Sequence, residues 1–306
     1  MTEQQSDGAI GVASGQDDLL APMPMRPLGR TGWEASLLTL GGVKWETRAS
    51  EQEAVALIRR AIELGVNTID TAAGYGNGES ERRLGIALEG LRNRIWLNTK
   101  TGKRDAGAAR REMDASLERL RTDRVDLMFV HALDDEADYR RVMGRDSVLR
   151  AMEEYRDAGH IRFIGVSGHW HRHSMLRIIR EYPFDAILVP TGLFNVAYEY
   201  DYFTDVVPEA QQRGIAVLGM KVFGAGRVLA AASIEPYLRY ALHQPIDTAV
   251  IGCDNMEQLE QTVRLVKQQP PPLSEQEQET LLPEARHVTQ HFERGEFNWV
   301  RHYRER

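Results

Sequence analysis

The chain has 306 residues, 42% of them hydrophobic and 27% charged, which is enough apolar material for a substantial core. Its net charge of −7 and its lack of any Lys/Arg run argue against a nucleic-acid surface, so we expect no nucleic-acid partner. Cys253 is the only cysteine, which excludes an intrachain disulfide and a cysteine-ligated cluster, and no metal site is predicted.

The first 22 residues are small and polar, and they carry too little apolar surface to offset the entropy of ordering. Residues 1–22 are therefore predicted to be a disordered tail, without the apolar stretch of a secretory signal. No run of about 18 apolar residues occurs in the chain, so no membrane partner is expected. We expect a cytoplasmic protein in which residues 23–306 form a single domain.

After the tail, short apolar runs alternate with amphipathic stretches. The first amphipathic stretch places Ala54, Leu57 and Ile58 on one helical face, and residues 256–266 repeat that spacing. Apolar strands separated by helices indicate an α/β protein with a covered parallel sheet, and eight of them predict a (β/α)8 TIM barrel. The eight runs are Leu37–Val43, Val66–Ala72, Ile95–Thr99, Val125–His131, Ile161–Ser167, Ala186–Pro190, Ile215–Lys221 and Thr248–Gly252.

A doubly wound open sheet is the alternative architecture. It is disfavoured because Gly41–Gly42 lead into Trp45, without the glycine-rich phosphate fingerprint that follows the first strand of such folds. The turn signal Arg30–Gly32 predicts a short N-terminal hairpin that caps the bottom of the barrel. Beyond Pro270–Pro272 we expect a C-terminal extension, a short helix and then a tail to Arg306 that either covers the pocket or is solvated.

Polar side chains follow successive strands at their carboxyl ends, where barrels of this type place their chemistry. The second run has Asp70 near its end and leads on to Tyr75, Lys100 comes directly after the third, and the fourth and fifth end at His131 and Ser167. Singly, each has a structural explanation as a cap, a packing residue or a solvated strand exit. Together, on neighbouring strand ends, they predict a catalytic site.

The chemistry of this set is that of an acid that protonates an oxyanion. A phenol has a pKa of about 10, which a neighbouring ammonium group lowers toward the operating pH. Lys100 supplies this charge to Tyr75, and Asp70 holds Lys100 ionised and oriented. His131 can hydrogen-bond a carbonyl oxygen on which negative charge develops. Tyr75 is thus the predicted proton donor of a carbonyl reduction whose hydride must come from a cofactor.

At these residues the chain resembles the aldo-keto reductase superfamily, over residues 26–266. Gly65–Gly76 matches its signature, an aspartate followed five positions later by a tyrosine. Asn98–Lys100 is similar to its lysine motif and Val125–His131 to its histidine motif. Gly165–Ser167 resembles the fifth-strand segment whose serine binds the nicotinamide carboxamide.

The resemblance implies a barrel that binds NAD(P)H across its rim and reduces aldehydes or ketones to alcohols, or catalyses the reverse. It implies that Asp70, Tyr75, Lys100 and His131 form the catalytic tetrad, with a small carbonyl compound as substrate. NADP(H) is favoured over NAD(H) by family habit, and the helix N-terminus near Asn255 is a candidate phosphate site. The alternatives are a non-enzymatic NADP(H)-binding redox-sensing subunit and a barrel hydrolase or isomerase. The sequence leaves open whether the chain forms a homo-oligomer.

The expected nicotinamide platform departs from the family pattern. His169 either replaces the family's polar Asn or lines the substrate pocket, and Leu188 stands where the family has Gln. Met220 replaces the stacking aromatic residue, and Lys221 beside it is a candidate partner of the pyrophosphate. The candidate cofactor-binding residues are Gly42, Ser167, Gly168, Met220, Lys221, Gly224, Gly252 and Gln258; those for the substrate are His169 and Trp45, with rim packing the alternative for Trp45.

Overall fold

A computed structural model describes residues 17–45, 49–133, 135–197, 202–226 and 233–290. Within them, eight parallel strands form a closed barrel, so the predicted (β/α)8 fold is confirmed and the open-sheet alternative is wrong. Each predicted apolar run overlaps one barrel strand. The strands are β1 (Met25–Pro27) and β2 (Glu34–Ser36), which form a hairpin, and the barrel strands β3 (Leu38–Gly41), β4 (Thr68–Asp70), β5 (Trp96–Thr101), β6 (Val125–Val130), β7 (Ile161–Ser167), β8 (Ala186–Pro190), β9 (Ala216–Met220) and β10 (Thr248–Gly252).

Helices follow the strands around the barrel. The first long one begins at Ser50, whose hydroxyl caps the backbone of Glu53 while the Glu53 carboxylate caps Ser50 in return. Its buried face carries the predicted apolar residues Ala54, Leu57 and Ile58. The described helices are α1 (Asp17–Leu20), α2 (Glu51–Glu63), α3 (Glu79–Ala87), α4 (Ala106–Leu120), α5 (Glu136–Val142), α6 (Val148–Asp157), α7 (Arg172–Glu181), α8 (Leu193–Ala197), α9 (Val206–Gln212), α10 (Glu235–Leu242), α11 (Met256–Gln268) and α12 (Glu275–Gln290).

The core has two parts because alternate residues of a barrel strand face opposite sides. Leu38 and Leu40 of β3 pack outward in the larger cluster, which includes Ile58 of α2. The smaller cluster fills the barrel interior from several strands. Its members are Leu28, Ala35, Trp96, Leu127, Phe129, Ala186, Leu188, Ala216, Leu218 and Met220.

The N-terminal hairpin closes the bottom of the barrel, as predicted. Strands β1 and β2 pair antiparallel, and Leu28 and Ala35 join the interior cluster. The Trp33 ring lies 5.7 Å from the ring of Trp96 at the start of β5. Large side chains therefore close this end of the barrel. The open end, here called the mouth, lies at the carboxyl ends of the strands.

The first and the last described helices, α1 and α12, pack against the barrel's helical layer. Part of the predicted disordered tail, residues 1–22, is the helix α1, and Lys267 of α11 donates a hydrogen bond of 2.6 Å from Nζ to the carbonyl of Leu19. This described part of the tail is therefore ordered, because the buried Leu19 side chain joins the core. Residues 1–16 lie outside the described residues.

The predicted C-terminal helix is present as α12, and Nε of Arg286 donates to the carbonyl of Ala197 in α8 at 3.4 Å. The rest of the extension, residues 291–306, lies outside the described residues, so both alternatives for the tail stay open. In the part of the chain that is described, no helix combines the length and the apolar character needed to cross a bilayer.

Candidate active site

Three of the predicted catalytic residues meet at the carboxyl ends of β4 and β5. Asp70 pairs in register with Asn98, so Lys100 lies two positions further along the neighbouring strand. The Lys100 ammonium donates to Oδ2 of Asp70, to the Thr71 carbonyl at 2.7 Å and to the Tyr75 hydroxyl at 3.3 Å. Asp70 and Lys100 are 2% and 1% exposed, so this ion pair is closed off from bulk water.

Tyr75 is presented by a tight 3₁₀ turn, Tyr75–Gly78, that follows β4. The turn is specified by Gly78, which has φ of +91° and would place a Cβ 2.5 Å from Nε of Arg119. The phenol ring is half-buried and lies 4.8 Å from Nζ of Lys100, measured to the ring centroid. Tyr75 therefore combines contact with a buried cation and exposure at the mouth.

His131, directly after β6, completes the predicted tetrad. Its ring meets the ring of Tyr75 edge-to-face at 5.8 Å between centroids. Burial, and after it the positive charges of Lys100, Arg104 and Lys221, lower the pKa of His131 to about 3. At neutral pH the imidazole is uncharged and can donate one hydrogen bond to a ligand oxygen.

Lys100 remains positively charged in its buried ion pair with Asp70. Burial acts to lower the pKa of Lys100, but the attraction of Asp70 and Tyr75 outweighs it and raises that pKa above its ordinary value. Burial raises the pKa of Asp70, and the contact with Lys100 opposes this rise. The ammonium group beside the phenol is therefore positive over the neutral range.

Sequence reasoning missed Arg104, which fixes the backbone at His131. Its Nη2 donates to the carbonyls of His131 and Ala132 at 2.8 and 2.9 Å, and it forms a 2.6 Å ion pair with Asp138. Ala132 has a left-handed φ of +57°. No periodic pattern marks a loop arginine that binds carbonyls 27 residues later, so the sequence carried no signal for this contact.

Asn98 and Trp96 were also missed as site residues, although Asn98 lay inside the quoted lysine motif. Both are fully buried, and the Trp96 indole donates to Oδ1 of Asn98 at 2.7 Å. Trp96, Asn98 and Lys100 alternate along β5 and so share its inward face. The available signal was an amide side chain two residues before Lys100, on the same face of the strand.

On the opposite side of the rim, the candidate cofactor residues are held mainly by backbone. The Ser167 hydroxyl accepts from the Ala132 N–H at 2.9 Å and donates to the Val130 carbonyl at 3.3 Å, which ties β7 to the histidine loop. Gly168 donates to the Leu188 carbonyl at 3.1 Å, and a Cβ there would lie 2.4 Å from the end of Met175.

His169 follows on the same loop, half-buried, with its ring 5.6 Å from that of Trp170. Burial first, and then the charges of Lys221, His131 and Lys100, lower the pKa of His169 well below its usual value. The two histidines of the mouth are therefore neutral, and both lie within the electrostatic reach of Lys221.

Met220 and Lys221 end β9 on this side of the rim. Met220 tops the interior cluster and is 9% exposed. Lys221 has a left-handed φ of +59°, and its carbonyl accepts the N–H of Gly224 at 2.9 Å. An apolar surface and a positive charge therefore stand next to each other at the end of one strand.

Gly42 lies beside the tetrad, where its N–H donates to the Asp70 carbonyl at 2.9 Å. A Cβ at Gly42 would come within 2.7 Å of the Trp45 ring. Trp45 is 2% exposed and belongs to the hydrophobic core. This position favours the packing alternative for Trp45 over contact with a substrate.

Gly252 and Gln258 are not brought together with the tetrad, because they lie at the end of β10 and in α11. Gly252 is exposed and pairs with Gly41 where the barrel closes. The Gln258 side chain accepts the Asp254 N–H at 2.8 Å, and its own N–H donates to Asn255 at 2.9 Å. Asn255 is therefore the cap of α11, and the Gln258 side chain binds the backbone of the residue before that cap.

Comparisons with known proteins point in the same direction as the geometry. The model of the aldo/keto reductase family matches residues 37–237. L-galactose dehydrogenase of Arabidopsis thaliana is 28% identical over 226 residues, 68% of this chain and 67% of that protein. Aldo-keto reductase YhdN of Bacillus subtilis is 33% identical over 213 residues, 64% of this chain and 61% of that protein. The chain therefore spans about two thirds of the length of these curated relatives.

A solved structure extends the likeness in fold. The aldo-keto reductase of Klebsiella pneumoniae in complex with NADPH superposes with a TM-score of 0.67 at 23% identity. The match covers 85% of this chain and 95% of that one. The family match and the relatives support an NAD(P)-dependent oxidoreductase that acts on carbonyl groups.

Proposed function

This chain belongs to the aldo/keto reductase family, and from that premise we propose that it reduces a small aldehyde or ketone with Tyr75 as the proton donor. The observation that carries the assignment is the buried Lys100 ammonium, 3.3 Å from the Tyr75 hydroxyl and paired with Asp70. A cation at this distance stabilises the phenolate that proton donation leaves behind. The cation therefore favours the negative charge that develops on the phenol oxygen as the proton leaves.

Asp70 acts on Lys100 and not on the substrate. Its carboxylate is buried, and the Lys100 ammonium also donates to the carbonyl of Thr71, so the position of Nζ is set by two oxygens behind it. The ammonium is thus held against the phenol. Reduction transfers the hydroxyl proton of Tyr75 to the carbonyl oxygen, and the reverse reaction returns it.

His131 orients the substrate. A neutral imidazole next to the Tyr75 ring can donate a hydrogen bond to the same carbonyl oxygen that the phenol protonates. Because its pKa is lowered to about 3, His131 does not compete as the proton donor near neutral pH. The half-buried His169 is our candidate for the substrate side of the mouth.

A nicotinamide cofactor supplies the hydride when bound. The residues between β7 and β10 suit such a ligand: Met220 offers an apolar surface, and Lys221 offers a charge for a pyrophosphate. Gly168, Gly224 and Gly252 let backbone come close to it. Ser167 and Gly42 are proposed to contact the cofactor, and Gln258 together with the α11 N-terminus is proposed to face its adenosine phosphate.

We favour NADP(H) over NAD(H), as the NADPH complex of the Klebsiella pneumoniae protein suggests. A cytoplasmic location stays a prediction, and so does assembly into a homo-oligomer.

The test is turnover of NADPH and, separately, NADH with a panel of aromatic aldehydes, ketones and open-chain sugars. Wild type should deplete the reduced nicotinamide, and Tyr75→Phe should lose about 10²- to 10⁴-fold in kcat, the usual contribution of a general acid. Cofactor binding by Tyr75→Phe should be unchanged. Tight cofactor binding without turnover of any carbonyl would favour the redox-sensing alternative, and absence of nicotinamide binding would reject the proposal.

A further inference from the structure

Three alternate residues of β5 form a column inside the barrel, with Trp96 at the bottom, Asn98 in the middle and Lys100 at the mouth. All three are buried, at 1% exposure or less. The Trp96 indole donates to the side-chain oxygen of Asn98 at 2.7 Å. This bond fixes which way the Asn98 amide faces, because its oxygen is committed to the bottom of the column. The amide nitrogen remains as a donor.

Asp70 is the register partner of Asn98 on the adjacent strand. Its Oδ2 is taken by Lys100, whereas Oδ1 is buried and has no hydrogen-bond partner among the described residues. The same holds for Nδ2 of Asn98. Burying a polar atom without a partner destabilises the fold, because its hydrogen bonds to water are lost and not replaced. Nδ2 of Asn98 is thus a donor without an acceptor, and Oδ1 of Asp70 on the paired strand is an acceptor without a donor.

We propose that Asn98 is a positioning residue of the reaction, whose amide nitrogen holds Oδ1 of Asp70 so that Oδ2 faces Lys100. The inference rests on the proposed function, since it concerns the proton donor of the same site. The column then links the barrel bottom to the phenol, through Trp96, Asn98, Asp70 and Lys100 to Tyr75. Asn98 itself touches neither substrate nor cofactor.

Electrostatics supports this arrangement. Burial raises the pKa of Asp70, and after Lys100 the amide of Asn98 acts to lower it. The titratable groups around Asp70 are Lys100 from β5 and, beyond it, Tyr75 and His131. On the other side, the register partner in β3 is Gly41, which has no side chain to titrate. Removing the amide should therefore raise the pKa of Asp70.

The experiment is an NMR titration of the full-length chain labelled with ¹³C at the aspartate carboxyl carbon, with the Asp70 signal assigned from Asp70→Asn. Asn98→Leu removes the amide and keeps the volume, and we expect it to raise the pKa of Asp70 by about one unit, a tenfold change in proton affinity. The acid limb of the pH profile of kcat should move to higher pH in the same variant, because neutral Asp70 no longer anchors Lys100.

Trp96→Phe is the second variant, which keeps a large ring at the bottom and removes only the N–H that orients Asn98. It should shift the Asp70 titration in the same direction by a smaller amount, and it keeps the proposal testable where Asn98→Leu does not fold. The control is Leu127→Val, since Leu127 flanks Asn98 in register on β6 but lies outside the column. It should lower stability and leave the Asp70 titration unchanged.

An unchanged Asp70 titration in folded Asn98→Leu or in Trp96→Phe would overturn the proposal, and so would an equal shift in Leu127→Val. The NMR measurement needs neither cofactor nor substrate. Its outcome therefore stands apart from the turnover assay that tests the proposed function.

Discussion

The two sides of the barrel mouth are built differently. Between β4 and β6, the polar side chains are buried and bonded to one another, as with Lys100 between Asp70 and Tyr75. Between β7 and β10, the corresponding positions are Gly168, Leu188 and Met220, held by backbone pairing and apolar packing. The protein itself therefore orders the first side, where we propose that proton transfer takes place. The second side has an apolar surface and few polar side chains, and we infer that a bound cofactor orders it.

This difference has a consequence for mutations. Changes on the β4–β6 side should lower kcat, because they disturb the groups that we propose to act on the reacting oxygen. Changes on the β7–β10 side should weaken cofactor binding and leave the chemical step nearly intact.

The largest effect is expected for Lys100→Met. It removes the cation beside the phenol, so kcat should fall by about 10²- to 10⁴-fold, as for loss of acid–base catalysis. It also leaves the buried Asp70 carboxylate unpaired, which should lower the free energy of unfolding by about 3–5 kcal/mol. Urea denaturation and steady-state kinetics measure the two effects.

The double variant Asp70→Asn/Lys100→Met serves as its control. It should regain most of the stability and none of the activity, because the stranded charge is gone while the phenol still lacks its cation. Recovery of kcat in the double variant would show that Lys100 acts only through stability.

A smaller effect, on kcat/KM, is expected for Arg104→Gln, which removes the hydrogen bonds to the carbonyls of His131 and Ala132. Misplacing the His131 ring should cost about tenfold in kcat/KM for the carbonyl substrate. Arg141→Gln is a matched control, since Arg141 also pairs with Asp138, at 3.0 Å, but is 65% exposed. Equal losses in both variants would assign the effect to Asp138 and contradict a role of Arg104 in placing His131.

On the other side of the mouth, Met220→Ala should raise the Kd for NADPH by about fivefold through loss of apolar contact, with kcat nearly unchanged. Calorimetry measures the affinity. Leu218→Ala, two residues deeper in the same interior cluster, should reduce stability without altering Kd. A fall in kcat larger than the change in Kd would break the proposed division between the two sides.

The smallest effect is the absence of a titration. Because the pKa of His131 is lowered to about 3, the proton signals of its ring should stay constant between about pH 5 and 8 in NMR spectra, with His131→Gln used for assignment. The folded state binds this proton more weakly than the unfolded chain does. Stability contributed by the neutral ring is thus present above about pH 6.5 and declines as the pH falls below it. A midpoint between pH 5 and 8 would contradict a neutral His131.

Much of the site could be predicted because it follows strand periodicity. Asp70, Lys100 and His131 come at the ends of three successive apolar runs, and parallel strands deliver such residues to one rim. The contact between Arg104 and Asp138 could not be predicted, because Arg104 lies on a loop and no sequence period places that loop against α5. The packing of Trp45 in the core could not be predicted either, because a tryptophan just after the first strand suits both a substrate pocket and the core.

The sequence by itself determined the eight-stranded barrel, the hairpin under it and the strand ends on which Tyr75, Lys100 and His131 stand, because alternation and spacing are local properties of the chain. Only the tertiary structure decided which buried polar atoms form hydrogen bonds with one another. The orientation of Asn98 by Trp96, the bond between Ser167 and the histidine loop, and the neutral state of His131 depend on burial and on distances across strands. Those are properties of the packed barrel, in which side chains far apart in the chain share one dry interior.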